Sequence, residues 1–175
     1  RGTVLTHLAI KLLVLTFVRS GELRGATWDE FDIEGRVWRI PANRMKMKVE
    51  HLVPLSNQAL EVLLRLREIS NGELLFPSVI NRKKPMSDNT MRQAIFRMGY
   101  DGEVEGKSKA VPHGFRATAS SILNEEGFNP DAIERQLAHQ ERNGVRAAYT
   151  HHARYMDDRI KMMQWWADYL DQLLD

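Results

Sequence analysis

His113-Gly114-Phe115-Arg116 follows Pro112, so a histidine and an arginine stand three apart at the start of an expected helix and share one face. Such a pair suits a phosphate, because a guanidinium offers a fork of donors and a helix N-terminus adds orphan N–H groups and a favourable dipole. Alone, His-x-x-Arg is a weak pattern, more often just two surface polar residues at a helix start. Arg19 ends an apolar run where Gly21-Glu22 turns the chain. It either projects a second guanidinium from a buried scaffold or caps that helix. Glu22 fits a carboxylate that orients Arg19, or a surface residue of the next turn. Lys46, between Arg44 and Lys48, lies in a turn from which an amine can reach a polyanion or deliver a proton, though such charge runs are ordinarily solvated. His139 closes Leu137-Ala138-His139, and Tyr149 comes ten residues later in Arg146-Ala147-Ala148-Tyr149-Thr150. A lone tyrosine is more often a core or rim residue, and Tyr155 and Tyr100 stay open as alternatives to Tyr149.

Other chemistries find less support. His139, His151 and His152 suggest a metal only weakly, since adjacent helical residues point apart and no His-Glu-x-x-His or carboxylate triad accompanies them. The chain has no cysteine, which removes thiol nucleophiles, thiolate metal sites and disulfides and fits a reducing cytoplasm. No glycine-rich loop cradles a nucleotide, and no serine sits in a nucleophile elbow. Phosphoryl chemistry would therefore rest on side-chain cations.

The elements that must position these residues are mostly helices. Residues 3–18 carry Leu5, Leu8, Ala9, Leu12, Leu13 and Phe17 at helical spacing behind Thr3 as a cap. Residues 27–40 alternate as a hairpin around Glu34-Gly35, and His51-Leu52-Val53-Pro54-Leu55 adds a third strand after the basic link 44–48. A helix capped by Ser56 runs to about Ile69, and another covers 87–98. Residues 102–109 are polar and glycine-containing, the pattern of a mobile loop. Helices follow over 113–124, 130–138, 145–149 and 157–173. The last carries Met162, Met163, Trp165, Trp166, Tyr169 and Leu170, a stripe that serves either the core or docking on a neighbouring protomer. Mainly helices with one small three-stranded antiparallel sheet make an α+β domain.

With 175 residues, 43% of them hydrophobic, the chain supports one domain with a sizeable core. Its 25 Lys+Arg against 23 Asp+Glu give a formal charge of only +2, so a polyanionic partner would have to be read from the position of cations rather than their number. No apolar run approaches the ~20 residues of a membrane helix, so the expectation is a soluble, cytoplasmic protein without a membrane partner.

Taken together, these segments resemble the tyrosine recombinase (phage integrase) family, especially prophage integrases of the P4 type, over essentially the whole chain. Thr16-Phe17-Val18-Arg19-Ser20-Gly21-Glu22-Leu23 is similar to the family's first-arginine box, and Lys46 with His51-Leu52-Val53-Pro54-Leu55-Ser56 to its strand-borne lysine segment. His113-Gly114-Phe115-Arg116 matches its His-x-x-Arg box, Leu137-Ala138-His139 its second-histidine box, and Arg146-Ala147-Ala148-Tyr149 its nucleophile segment. The resemblance implies a catalytic domain over residues 1–175, lacking the family's N-terminal core-binding and arm-binding domains. It implies cleavage and rejoining of DNA through a 3′-phosphotyrosine on Tyr149, for integration or excision, with Arg19, Lys46, His113, Arg116 and His139 assisting and no cofactor or metal. Arg44, Lys48, Lys107 and Lys109 would contact DNA phosphates. The partners implied are double-stranded attachment sites and further copies of the chain, monomeric in solution and tetrameric on DNA. Alternatives are a type IB topoisomerase-like relaxing enzyme and a catalytically silent DNA-binding or dimerisation module.

Overall fold

A computed structural model describes residues 3–139 and 155–173. The first helix, α1 (Val4–Thr16), begins where the Thr3 hydroxyl accepts from the Thr6 amide at 3.3 Å. It stops two residues short of the expected end because Phe17 adopts a left-handed conformation (φ 37°). That conformation is unusual for a bulky residue. Here packing decides it, since the Phe17 ring is fully buried and meets Trp166 edge-on at 6.1 Å. A short helix not foreseen in the sequence, α2 (Ser20–Arg24), follows with Arg19 as its N-cap. The Glu22 carboxylate accepts from the Arg19 amide at 3.0 Å and satisfies a donor that a helix start otherwise leaves orphaned.

The sheet consists of β1 (Phe31–Asp32), β2 (Val37–Ile40) and β3 (His51–Pro54), antiparallel in that order. Trp38 and Ile40 point into the core while Arg39 faces out, as period-two alternation requires. The first strand is shorter than expected. Thr27 bridges Leu74 instead, and Trp28–Glu30 forms a 3-10 turn that tucks Glu30 beneath the sheet, where its carboxylate accepts from the Trp38 indole at 2.8 Å.

Helix α3 (Asn57–Ile69) starts at the Ser56 cap and buries Ala59, Val62, Leu63 and Leu66. Next come α4 (Asp88–Arg97), α5 (Gly114–Glu125) and α6 (Pro130–Gln136), the last with proline in its first turn. Between α4 and α5 the chain closes on itself, the Ala110 amide donating to the Tyr100 carbonyl at 2.9 Å. The final helix, α7 (Met156–Gln172), buries Arg159, Met162, Met163, Trp166 and Ala167. Much of its apolar stripe is thus filled within this chain. The helix expected over 145–149, with Arg146 and Tyr149, lies outside the described residues.

Two apolar clusters result, one joining α1, α3 and the sheet, the other joining Phe17 to α5, α6 and α7. This is the mainly helical α+β arrangement with one small sheet that the sequence predicts. No helix among the described residues is long and apolar enough to cross a membrane. Trp166 holds the second cluster to α1 through Phe17 and by donating to the Val14 carbonyl at 2.9 Å. Trp166→Ala is therefore expected to destabilise the fold by about 3–5 kcal/mol, read as a shifted urea midpoint.

Candidate active site

The left-handed turn at Phe17 closes α1, and a second one at Ala138 (φ 49°) closes α6. Both leave carbonyls at helix C-termini, where the helix dipole is negative and cations are favoured. Arg116, in the first turn of α5, fills the gap between them. Its Nη1 donates to the Phe17 carbonyl at 2.8 Å and its Nη2 to the Leu137 carbonyl at 2.6 Å. Arg19 grips the next carbonyl along, Nη2 donating to Ala138 at 3.3 Å, while its Nη1 donates to Glu22 Oε1 at 2.9 Å. Two guanidiniums from distant parts of the chain thus hold adjacent peptide carbonyls, each with N–H donors to spare.

Burial and the nearby charge of Arg19 pull the Arg116 pKa down to about 10, with Glu22 and Glu134 opposing. It remains protonated at neutral pH. Arg116 is only 5% exposed, whereas the Arg19 side chain is 31% exposed, so the pair opens to solvent on the Arg19 side.

A third donor meets the same helix end. His51, first residue of β3, has Nε2 at 3.1 Å from the Gln136 carbonyl and acts there as donor. Burial lowers its pKa to about 3, and the charges of Arg159, Arg116 and Arg19 add to the effect. The unfolded chain would therefore take up this proton first. Stability contributed by neutral His51 is full above the ordinary value of 6.5 and declines as pH falls toward 3, by up to about 1.4 kcal/mol per pH unit. His51→Gln, which keeps a donor, is expected to flatten the urea midpoint across that window; an unchanged slope would place the titration elsewhere.

The remaining sequence-predicted residues surround this core unevenly. His139 follows Ala138 directly, and its Nδ1 lies 2.8 Å from Glu134 Oε2, which leaves Nε2 for another partner. His113 is the exposed N-cap of α5, one turn from Arg116. Lys46 is exposed on the β2–β3 turn, and neither it nor His113 has a side-chain hydrogen bond or ion pair among the described residues. The root of that turn is nevertheless fixed beside α2. Met45 is buried, and Arg44 turns inward to pair with Glu30 and donate to the Glu22 carbonyl. Gly25 leaves space for this, since a Cβ there would stand 3.0 Å from Arg44 Nη2. Arg44 thus holds the backbone of Glu22, whose carboxylate orients Arg19, and its Nη1 and Nη2 are both engaged within the protein. Lys48 is exposed, with Nζ 3.4 Å from the Asn43 carbonyl. The amines of Lys107 and Lys109 lie over the rings of Tyr100 and Phe96.

The family model described as the phage integrase family matches residues 2–155. The chain belongs to the phage integrase family. It is 52% identical over 185 residues to an integrase of Enterobacteria phage P4, an alignment covering 98% of this chain and 41% of that protein. Among solved structures, an integrase from a mycobacterium phage, Brujita, superposes with a TM-score of 0.70 at 17% identity, over 94% of this chain and 52% of that one. A lambda integrase tetramer bound to a Holliday junction gives 0.61 at 19% identity, over 81% and 43% respectively. These structural likenesses establish the fold. The chain spans less than half the length of the curated relatives it matches.

Within this phage integrase domain, sequence reasoning passed over His51, Gln136 and Arg159. A signal existed for two of them. Gln136 shares a helical face with Ala132 and Ile133, and Arg159 with Met162, Met163 and Trp166, so each is a polar side chain on an apolar stripe. Such a residue must find buried partners.

Proposed function

We propose that this chain is the catalytic domain of a site-specific DNA recombinase that cleaves and rejoins strands through a phosphotyrosine at Tyr149. The observation that carries the reading is the arginine pair, Arg19 and Arg116 donating to the adjacent carbonyls of Ala138 and Leu137 with further N–H groups available. One phosphodiester group in line with both guanidiniums would have its non-bridging oxygens neutralised as negative charge gathers on them in the transition state.

The Tyr149 oxygen attacks phosphorus, its proton passes to His113, and the bond from phosphorus to the 5′ oxygen breaks. Lys46 protonates that departing oxygen, and His139 hydrogen-bonds the phosphate through Nε2. The product is a 3′-phosphotyrosine and a 5′-hydroxyl, and attack by another strand's 5′-hydroxyl reverses the step, so the bond is exchanged rather than hydrolysed. Placement of the Lys46 turn beside α2 supports its assignment. The alternative nucleophiles are less suited: the Tyr155 hydroxyl donates to Asp131 at 3.0 Å, and Tyr100 lies beneath Lys107.

The partner is double-stranded DNA carrying an attachment site, with Lys48, Lys107 and Lys109 as further phosphate contacts. The chain works as one domain, and the whole protein, longer in its relatives, supplies core-binding and arm-binding domains that complete a clamp. It is a cytoplasmic protein, monomeric in solution and tetrameric on DNA, an assembly supported by the lambda integrase tetramer on its Holliday junction.

The test incubates the whole protein with a pool of nicked duplexes tiling the DNA that flanks its gene. A denaturation-resistant protein–DNA adduct confined to particular duplexes is expected. Salt-sensitive binding without any adduct would show a DNA-binding module instead, and relaxation of supercoiled plasmid without a sequence requirement would show a topoisomerase.

A further inference from the structure

Gln136 is fully buried, yet every polar group it has is engaged. Its Nε2 donates to the Thr16 carbonyl at 3.2 Å, next to the Phe17 carbonyl that Arg116 uses. Its Oε1 accepts from Arg159, Nε at 3.2 Å and Nη2 at 2.6 Å. Its own carbonyl accepts from His51. Arg159 is 2% exposed and also donates to the Leu52 carbonyl, the residue after His51 in β3. One side-chain pair therefore ties the end of α1, the end of α6, the start of β3 and the first turn of α7 to one another.

A buried guanidinium with no carboxylate partner among the described residues is costly, and several apolar residues would pack the space more cheaply. Its pKa is drawn down to about 10 by burial, then by Arg135, so it stays charged at neutral pH. What the pair provides is direction. The carbonyls of Gln136, Leu137 and Ala138 serve His51, Arg116 and Arg19 in turn, and a rotation of that helix end would move both active-site guanidiniums together.

We infer that Gln136 and Arg159 are positioning residues that hold the end of α6 so that Arg116 and Arg19 face one phosphate at the correct angle. The inference rests on the arginine-pair reading above.

The test measures single-turnover cleavage by the whole protein of a duplex that forms the adduct, with a normal scissile phosphate or with a neutral methylphosphonate there. Gln136→Met and Arg159→Lys are compared with wild type and with Arg116→Ala, and folding is checked by thermal melts. Lysine keeps a buried charge but not a fork that spans Gln136 and Leu52. Misplaced guanidiniums are expected to slow phosphate cleavage about 10- to 100-fold, while the methylphosphonate, which lacks the charge the guanidiniums neutralise, reacts within about twofold of wild type, mirroring Arg116→Ala. Equal slowing on both substrates, no slowing on either, or failure of both variants to fold would overturn the positioning role. If Arg116→Ala itself cleaves the phosphate normally, the arginine-pair reading fails instead.

Discussion

Arg116→Lys is expected to leave DNA affinity within a few-fold of wild type and to slow strand cleavage by about 10²–10³-fold, the scale of losing one preorganised donor to a developing anion. The substitution keeps the charge, so the effect isolates geometry. A lysine ammonium cannot reach the Phe17 and Leu137 carbonyls and also present a fork to a phosphate, as the guanidinium does from its present contacts. Affinity for the duplex rests on many phosphate contacts and changes little when one is lost. Stability should fall as well, by about 1–3 kcal/mol for a buried carbonyl left without a donor. Single-turnover rates and urea midpoints measured on the same preparation separate the two effects. A rate near wild type would mean that Arg116 serves the fold alone.

Tyr149→Phe is expected to abolish adduct formation while binding and stability stay as they are. Removing one hydroxyl leaves no oxygen to attack phosphorus, and the arginine pair cannot replace it, because neutralising a transition state requires a nucleophile to form one. Tyr155→Phe is the matched control. Its hydroxyl donates to Asp131 in the first turn of α6, so its loss should cost about one hydrogen bond in stability and little in rate. The reverse pattern, with Tyr155→Phe inactive and Tyr149→Phe active, would assign the chemistry to the other tyrosine.

The fold was legible where local signals agree with global packing. Ser56, Thr3 and the proline of α6 marked helix starts because a cap or a fixed φ acts within a few residues, and the apolar periodicities of α1, α3 and α7 named their buried faces. The left-handed turn at Phe17 and the helix α2 were not legible, since the Trp166 contact that enforces that turn comes from the far end of the chain. The same distinction applies to the site. Arg19 and Arg116 could be singled out by residue type and local position, and Glu22 orients Arg19 as one reading of the sequence had it. Arg44 could not be told from Lys48 by its place in a charge run. Only the fold shows that its guanidinium pairs with Glu30 while the Lys48 side chain remains exposed. Gln136 and Arg159 carried their signal in plain form, as polar residues on apolar faces, but the partners that make sense of it are remote in sequence.

The most direct measurement of the central claim is mass spectrometry of the trapped protein–DNA adduct after protease and nuclease digestion. A nucleotide esterified through its 3′-phosphate to the peptide bearing Tyr149 is expected, with the yield collapsing in the Arg19→Ala and Arg116→Ala proteins. The nucleotide on any other residue, or an undiminished yield without the two guanidiniums, would contradict it.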